Sequence, residues 1–124
     1  MVTKQEDADL RRADSLGREI FSDVANKWAL LIIEALGEDT LRFSELRNQV
    51  HGVSHKMLTQ NLRMLERNGL VERRVYATVP PRVEYRLTAA GKGLRATVDG
   101  MCEWTYRFFE HIEAARRRFD DNGD

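Results

Sequence analysis

The stretch "SHKMLTQNLRMLERNGLVERRV", Ser54 to Val75, combines an amphipathic helix with the beginning of a β-strand. Leu58, Leu62 and Leu65 recur at spacings of four and three residues, which places them on one face of a helix. The serine that opens the stretch can cap the helix with its hydroxyl group. An Asn-Gly pair at 68–69 ends it. The pattern therefore predicts a capped helix with one buried face.

The opposite face of this helix is polar. Lys56, Thr59, Gln60 and Arg63 recur at spacings of three and four, opposite the leucines. An α-helix fits the major groove of B-DNA, where Arg or Lys pairs with guanine, Gln pairs with adenine and a Thr methyl group touches thymine. The face therefore indicates a reader of base edges, although taken alone it is also typical of an ordinary solvated helix.

The neighbouring segments complete a recognisable arrangement. "SELRNQVHG", starting at Ser44, predicts a compact helix ending at 51–52, and "TLRF" before it is a short β-type stretch. "LVERRVYA" and "RVEYRLT" are β-rich and flank "TVPP", whose two prolines mark a hairpin tip because proline cannot donate to a ladder. The fold class predicted is α+β but mainly α: a winged helix-turn-helix with a two-stranded wing.

Both ends of the chain predict helices. Apolar residues recur at helical spacing over 14–25, and again from Trp28 to Leu36 before Gly37. A long helix over about 88–118 is capped by Thr88 and has apolar positions every three or four residues. Residues 1–13 are polar, and we expect a flexible tail or the start of the first helix there. Residues 14–124 should form a single domain with dimerisation helices, 14–25 and about 88–118, at its two ends.

The charge distribution is uneven although the 124-residue chain has a net charge of zero. Between Arg42 and Arg86 there are nine cations and four anions, so the flanking segments are acidic. A basic region between acidic ends is expected when that region contacts a polyanion. Phosphate contacts position a protein without reading sequence. We expect them, beside the backbone or an adjacent minor groove, from the wing arginines Arg73, Arg74, Arg82 and Arg86.

Several other classes of protein find no support in the sequence. There is no apolar run of about 20 residues and no N-terminal signal pattern, so we expect a cytoplasmic protein without membrane contact. The single cysteine, Cys102, allows no internal disulfide and no cysteine-based metal site. HExxH, nucleotide-binding glycine loops and a Ser/His/Asp arrangement are missing. We therefore predict no enzyme activity, no cofactor and no metal.

The motifs "NKWALLII", "LRFSELRNQVHGVSHKMLTQNLRMLERNGLVERRVYATVPPRVEYRLTAAGKGL" and "MCEW" together resemble the HxlR-type family of bacterial winged helix-turn-helix regulators, relatives of the MarR-type repressors. The resemblance covers roughly residues 15–112. It implies a transcriptional role and a homodimer whose interface is formed by the first and last helices. On the matching positions it places in the recognition helix Ser54, His55, Lys56, Thr59, Gln60 and Arg63. It also implies backbone or wing roles for Lys27, Arg42, Ser44 and Arg82.

The dimer surface implied by the resemblance consists of apolar and neighbouring positions on the two terminal helices. They are Leu16, Ile20, Val98, Met101, Cys102, Trp104, Thr105, Phe108, Phe109 and Ile112. The aromatic residues among them could instead line a ligand pocket, and Cys102 could have a redox role instead of packing. Many family members that sense oxidants carry a cysteine near the start of the first helix, where this chain has Ser15. Thiol sensing at that position is not expected here.

The function predicted is that of a homodimeric, sequence-specific, DNA-binding regulator, with repression as the favoured direction of control. Its partners are double-stranded DNA and a second copy of the chain; the sequence identifies no small-molecule effector. Two recognition helices related by a two-fold axis predict a pseudo-palindromic operator. The alternative is a winged-helix module that binds protein without specific DNA binding.

Overall fold

The computed structural model describes residues 2–123 and contains five helices and three strands in that range. In chain order they are α1 (Lys4–Val24), α2 (Lys27–Leu36), β1 (Leu41–Arg42), α3 (Phe43–Gln49), α4 (His55–Arg67), β2 (Val71–Tyr76), β3 (Arg82–Leu87) and α5 (Ala89–Asp121). The predicted fold class, a mainly helical winged helix-turn-helix with a small sheet, is confirmed.

The wing is an antiparallel hairpin of β2 and β3, and β1 adds a third strand on the other side of β3. Val71 pairs with Leu87 at the base of the hairpin, and Tyr76 pairs with Arg82 near its tip. Leu41 of β1 pairs with Tyr85 of β3. The tip at 77–81 contains both prolines, as the sequence predicted. This arrangement places the wing beside the C-terminal half of α4, which leads into β2.

The helix ends follow the predicted caps. The Ser54 hydroxyl accepts a hydrogen bond from the Met57 amide at 3.0 Å, and the Thr88 hydroxyl accepts one from the Gly91 amide at 3.2 Å. Gly69, at φ 72°, turns the chain from α4 towards β2 in a conformation that residues with a side chain rarely adopt. A further cap was not predicted: the Asn26 side chain accepts from the Ala29 amide at 2.9 Å and starts α2.

The hydrophobic core lies between α2, α3, α4 and the inner face of the sheet. Among the described residues, all sixteen buried apolar side chains fall between Val24 and Leu87. Leu58, Leu62 and Leu65 are each at most 2% exposed, which confirms the buried face predicted for α4. Each such leucine contributes about 1.5 to 3 kcal/mol through burial. The core therefore fixes the position of the polar face of α4.

Of the two alternatives left open for residues 1–13, the structure shows the start of the first helix, because the chain is helical from Lys4 onward; the expected helix start at residue 14 was wrong. The Thr3 hydroxyl accepts from the Glu6 amide at 3.0 Å, and the Glu6 carboxylate accepts from the Thr3 amide at 2.8 Å. An Arg11–Asp7 ion pair of 2.6 Å supports the first turns. This capping box and the i,i+4 pair form a helix without the apolar periodicity on which the expected start at residue 14 depended.

Two other boundaries differ from the prediction. Helix α3 begins at Phe43 instead of Ser44 and ends at Gln49. The reason is that the Glu45 carboxylate accepts a hydrogen bond from the Arg42 backbone amide at 2.9 Å, which makes Arg42 the residue before the helix. At the other end of the chain, α5 continues to Asp121, three residues beyond 118. No helix within residues 2–123 combines the length and apolar character needed to cross a membrane.

Candidate nucleic-acid interface

The polar face of α4 is exposed over most of its length. Lys56, Gln60 and Arg63 are exposed, and Thr59 is half-buried at the edge of the face. The Thr59 hydroxyl donates to the His55 carbonyl at 2.8 Å, so its proton is engaged while its methyl group and an acceptor lone pair are left. Lys56, Gln60 and Arg63 therefore present donors that can pair with guanine or adenine, and Thr59 presents a methyl group between them along the helix.

The first turns of α3 and α4 lie against each other. The rings of Phe43 and His55 are 4.8 Å apart at an interplanar angle of 48°, a tilted aromatic contact. The family resemblance places His55 in the recognition helix, and the structure adds this packing role. Arg42 and Ser44, on the α3 side of the contact, are exposed. Ser54 uses its hydroxyl to cap α4.

Lys27 lies at the start of α2, with its ammonium group 4.7 Å from the centre of the Trp28 ring. The far edge of that ring lies beside Gly52, in the turn between α3 and α4. A cation over an aromatic face is stabilised electrostatically and needs no carboxylate partner. Lys27 therefore belongs to the same end of the molecule as the turn of the helix-turn-helix.

The four wing arginines do not share one face of the sheet, because side chains alternate along a strand. Arg73 pairs with Tyr85 in the register and lies on the inner face, towards α4. Arg74, Arg82 and Arg86 lie on the outer face. The sequence predicted all four as one group, and the hairpin register separates them.

Two glutamates that the sequence reasoning did not single out accompany the outer arginines. Glu72 accepts from Arg86 at 2.8 Å and from Arg74 at 3.1 Å. The Arg86 hydrogen bond, together with Arg74, holds the pKa of Glu72 below its usual value. Arg82 lies 3.2 Å from Glu84 and 4.3 Å from the centre of the Tyr76 ring. The prolines at the tip indicate that residues 72 and 86 lie on opposite strands, but the register that pairs them is given by the structure.

A cleft of about 440 Å³ separates α4 from the inner face of the wing. Among the described residues, the guanidinium groups of Arg63 and Arg73 have no carboxylate oxygen within 4.0 Å. The cleft is therefore a place where two cations face solvent without an ion-pair partner. Its lining consists of Thr59, Leu62, Arg63, Glu66, Arg73 and Tyr85.

The predicted dimer residues lie on α1 and α5 and are largely open to solvent in the single chain. Leu16, Met101 and Trp104 are 54 to 56% exposed, although such side chains are normally covered. Trp104 and Phe108 form an aromatic pair with ring centres 5.9 Å apart. Cys102, Thr105 and Phe109 are exposed as well, whereas Ile20, Val98 and Ile112 are half-buried. Within residues 2–123, no three His, Cys, Asp or Glu side chains converge as a metal site.

This arrangement, a capped helix with an exposed polar face beside a basic wing, defines a winged helix-turn-helix protein. The sequence model of the HxlR-like helix-turn-helix family matches residues 23–113. The uncharacterized HTH-type transcriptional regulator YtfH of Escherichia coli K12 is 45% identical over 99 residues, 80% of this chain and 79% of that protein. The chain belongs to the HxlR-like helix-turn-helix family, a family of transcriptional regulators and not of enzymes.

Solved structures agree with this assignment. The structure of YtfH from Salmonella typhimurium, described as a transcriptional regulator, aligns with a TM-score of 0.69 at 40% identity, covering 82% of this chain and 90% of that one. The redox regulator HypR in its reduced form also aligns with a TM-score of 0.69, at 34% identity over 78% of this chain and 96% of its own.

Proposed function

We propose that the protein is a homodimeric regulator that binds a pseudo-palindromic operator and represses transcription by occluding the promoter. The observation that carries the proposal is the α4 surface: Lys56, Gln60 and Arg63 are exposed on a helix whose leucines are locked in the core. A rigidly seated helix can present its donors at fixed positions to base edges. Such a regulator acts on the chromosome, so a cytoplasmic location follows from the proposal.

The residues divide into contacts from the recognition helix and contacts from the surrounding elements. The recognition-helix contacts come from the exposed part of α4, and they are Ser54, His55, Lys56, Thr59, Gln60 and Arg63. Backbone contacts come from the surrounding cations and hydroxyl groups, which fix register without reading sequence. This second set consists of Lys27, Arg42, Ser44, Arg73, Arg74, Arg82 and Arg86.

The second copy of the chain would cover α1 and α5. Trp104 and Phe109 are more than half exposed, and Phe108 is 42% exposed. Apolar surface in water costs about 25 cal/mol per Å², and monomeric proteins rarely leave a continuous apolar stripe of this kind uncovered. The first and last helices are also the interface implied for this family. A two-fold dimer places its recognition helices about one turn of DNA, roughly 34 Å, apart.

The proposal is tested by selecting bound sequences from a random duplex pool at about 150 mM salt with reduced protein. We expect enrichment of a pseudo-palindrome with half-site centres about 10 bp apart. Failure to bind any duplex, even at low salt, would contradict DNA binding and favour the protein-interaction module. Enrichment of a single asymmetric half-site would support base recognition by α4 and contradict the proposed dimer.

The role of α4 is tested separately with Gln60→Ala. We expect a loss of about 1 to 3 kcal/mol on the operator and a relaxed preference at one base position, because a Gln–adenine pair carries sequence information. The matched control is Gln49→Ala, an exposed glutamine at the end of α3. It should bind as the unaltered protein does. Equal losses on operator and random DNA would mean that Gln60 contacts phosphate.

A further inference from the structure

The cleft between α4 and the wing has the features of a site for one DNA phosphate. Arg63 enters it from the recognition helix and Arg73 from β2, so two guanidinium groups line it from elements fixed by the same core. The Thr59 side chain lies in the same lining, and Leu62 and the buried Tyr85 bound the cleft on its apolar side. Two guanidinium groups provide the planar, multiple donors that suit a phosphate.

We propose that this cleft seats a backbone phosphate held jointly by Arg63 and Arg73, and that Arg73 is the principal phosphate contact of strands β2 and β3 near the recognition helix. The proposal rests on the DNA-binding function proposed above. It follows from that function that a helix in the major groove has a strand of backbone along its flank. The cleft lies on this flank, between α4 and the wing.

The neighbouring arginines differ from Arg73 in two respects. Arg74 and Arg86 lie on the outer face of the sheet, away from α4. Both also share one carboxylate, Glu72, at 3.1 and 2.7 Å. A carboxylate in direct contact with two guanidinium groups lowers the positive potential that they present to a phosphate. Neighbours in sequence thus differ in the side of the sheet they occupy and in their ion pairing.

Glu66 also lines the cleft and must be included in its electrostatics. It is three residues beyond Arg63 on α4, yet its carboxylate lies more than 4.0 Å from both guanidinium groups in the described chain. An anion is therefore favoured near Arg63 and Thr59, one helical turn from Glu66.

The test compares Arg73→Ala with Arg74→Ala, adjacent substitutions on opposite faces of one strand. For each variant, affinity for the operator and for a random duplex is measured from about 50 to 300 mM salt. We expect Arg73→Ala to lower both affinities about tenfold and to reduce the slope of log affinity against log salt by about 1. Arg74→Ala should lower both affinities by less, about two- to threefold, because Glu72 already partly neutralises its charge. Arg73→Lys should restore the slope because it keeps the charge.

The shared phosphate gives a second measurement. If the phosphate needs both Arg63 and Arg73, removing either one releases it. The double variant then lowers the salt slope by about 1, as either single variant does, and their losses are not additive. A decrease of about 2 means two separate phosphates and overturns the joint site. Circular dichroism and urea unfolding establish that each variant is folded.

The outcomes distinguish the two proposals. If the unaltered protein binds duplex DNA and the Arg73→Ala variant binds equally well, the phosphate site in the cleft is contradicted. The proposed DNA-binding regulator is then retained. A larger loss for Arg74→Ala than for Arg73→Ala assigns the contact to the outer face and overturns the inference. If the unaltered protein shows no salt-dependent affinity for duplex DNA, both the phosphate site and the proposed DNA-binding function are contradicted.

Discussion

The body of the molecule, residues 24–87, buries most of its apolar side chains, whereas the two long terminal helices, α1 and α5, leave most of theirs exposed. Between Val24 and Leu87 the chain buries sixteen apolar residues, eight of them large and essentially inaccessible. Over its 33 residues, α5 buries only Gly91, and α1 buries only Val24. The body can therefore be stable through its own core, whereas the terminal helices present surface that a single chain leaves uncovered. Folding therefore depends on the residues between Val24 and Leu87, whereas the proposed dimer would use the two terminal helices.

The largest expected effect comes from making the α5 surface polar. The double substitution Trp104→Ser with Phe108→Ser should convert the proposed dimer to monomer at micromolar concentration, as measured by analytical ultracentrifugation. Operator affinity should fall by about 10² to 10⁴, because the second half-site is then no longer tethered. Tyr106→Ser, on the same helix and 89% exposed, is the matched control and should leave assembly unchanged. A double variant that remains dimeric would place the interface elsewhere.

A smaller but still large effect is expected in the core. Leu58→Ala should lower the free energy of unfolding by about 2 to 5 kcal/mol, since Leu58 is 0% exposed and the substitution leaves a cavity. Leu16→Ala, at a leucine 54% exposed in the single chain, provides the comparison. Urea unfolding at several protein concentrations should show a loss for Leu16→Ala only where dimer forms. A loss independent of concentration would mean that α1 packs on its own chain.

Two glycines of α5 mark where the body ends and the free helix begins. A Cβ at Gly91 would lie 2.1 Å from the Leu70 carbonyl oxygen, whereas one at Gly93 would meet nothing within 4 Å. Gly91→Ala should therefore destabilise the protein by about 1 to 3 kcal/mol through overpacking. Gly93→Ala should stabilise it by up to about 1 kcal/mol through helix propensity. Thermal unfolding of both variants measures the difference, and equal shifts would contradict the boundary.

The smallest effect concerns the contact between α2 and α5. Partial burial, followed by the nearby Asp99 carboxyl group, raises the pKa of Glu34, and Arg95 at 3.5 Å opposes the shift. A raised pKa means that the folded state favours the protonated carboxyl. The stability associated with it is complete below the unfolded pKa and is lost as pH rises through the folded pKa. The unaltered protein should therefore lose a little stability between about pH 4 and the folded value.

Glu34→Gln removes this dependence. Relative to the unaltered protein, it should gain stability from pH 4 to pH 7.5 by no more than about 0.5 kcal/mol, because the site is partly exposed and one ion pair is lost. Urea unfolding at fixed protein concentration measures the gain. Glu38→Gln, which loses its 3.0 Å pair with Lys92, is the control and should show no gain. A relative loss for Glu34→Gln at the higher pH would reverse the sign assigned to the Asp99 contact.

Most of the fold could be predicted because its signals are local. The period of Leu58, Leu62 and Leu65 identified α4, and Ser54 and Gly69 identified its ends. The prolines located the wing tip. Where prediction failed, the cause was also physical: α1 starts at Lys4 through a capping box and ion pairs, which carry no apolar periodicity. Helical spacing predicted Lys56, Thr59, Gln60 and Arg63 as the polar face, and the family resemblance added Ser54 and His55; their DNA contacts stay a prediction.

The sequence by itself determined the elements, their order and the basic character of the middle of the chain, because periodicity, caps and charge depend on residues close together along it. Only the tertiary structure decided which arginines share a surface. Pairing Glu72 with Arg86 and turning Arg73 towards Arg63 depend on the register of a hairpin and on how it packs beside α4. Those contacts join residues 10 or more positions apart, and their geometry exists only once the core is formed.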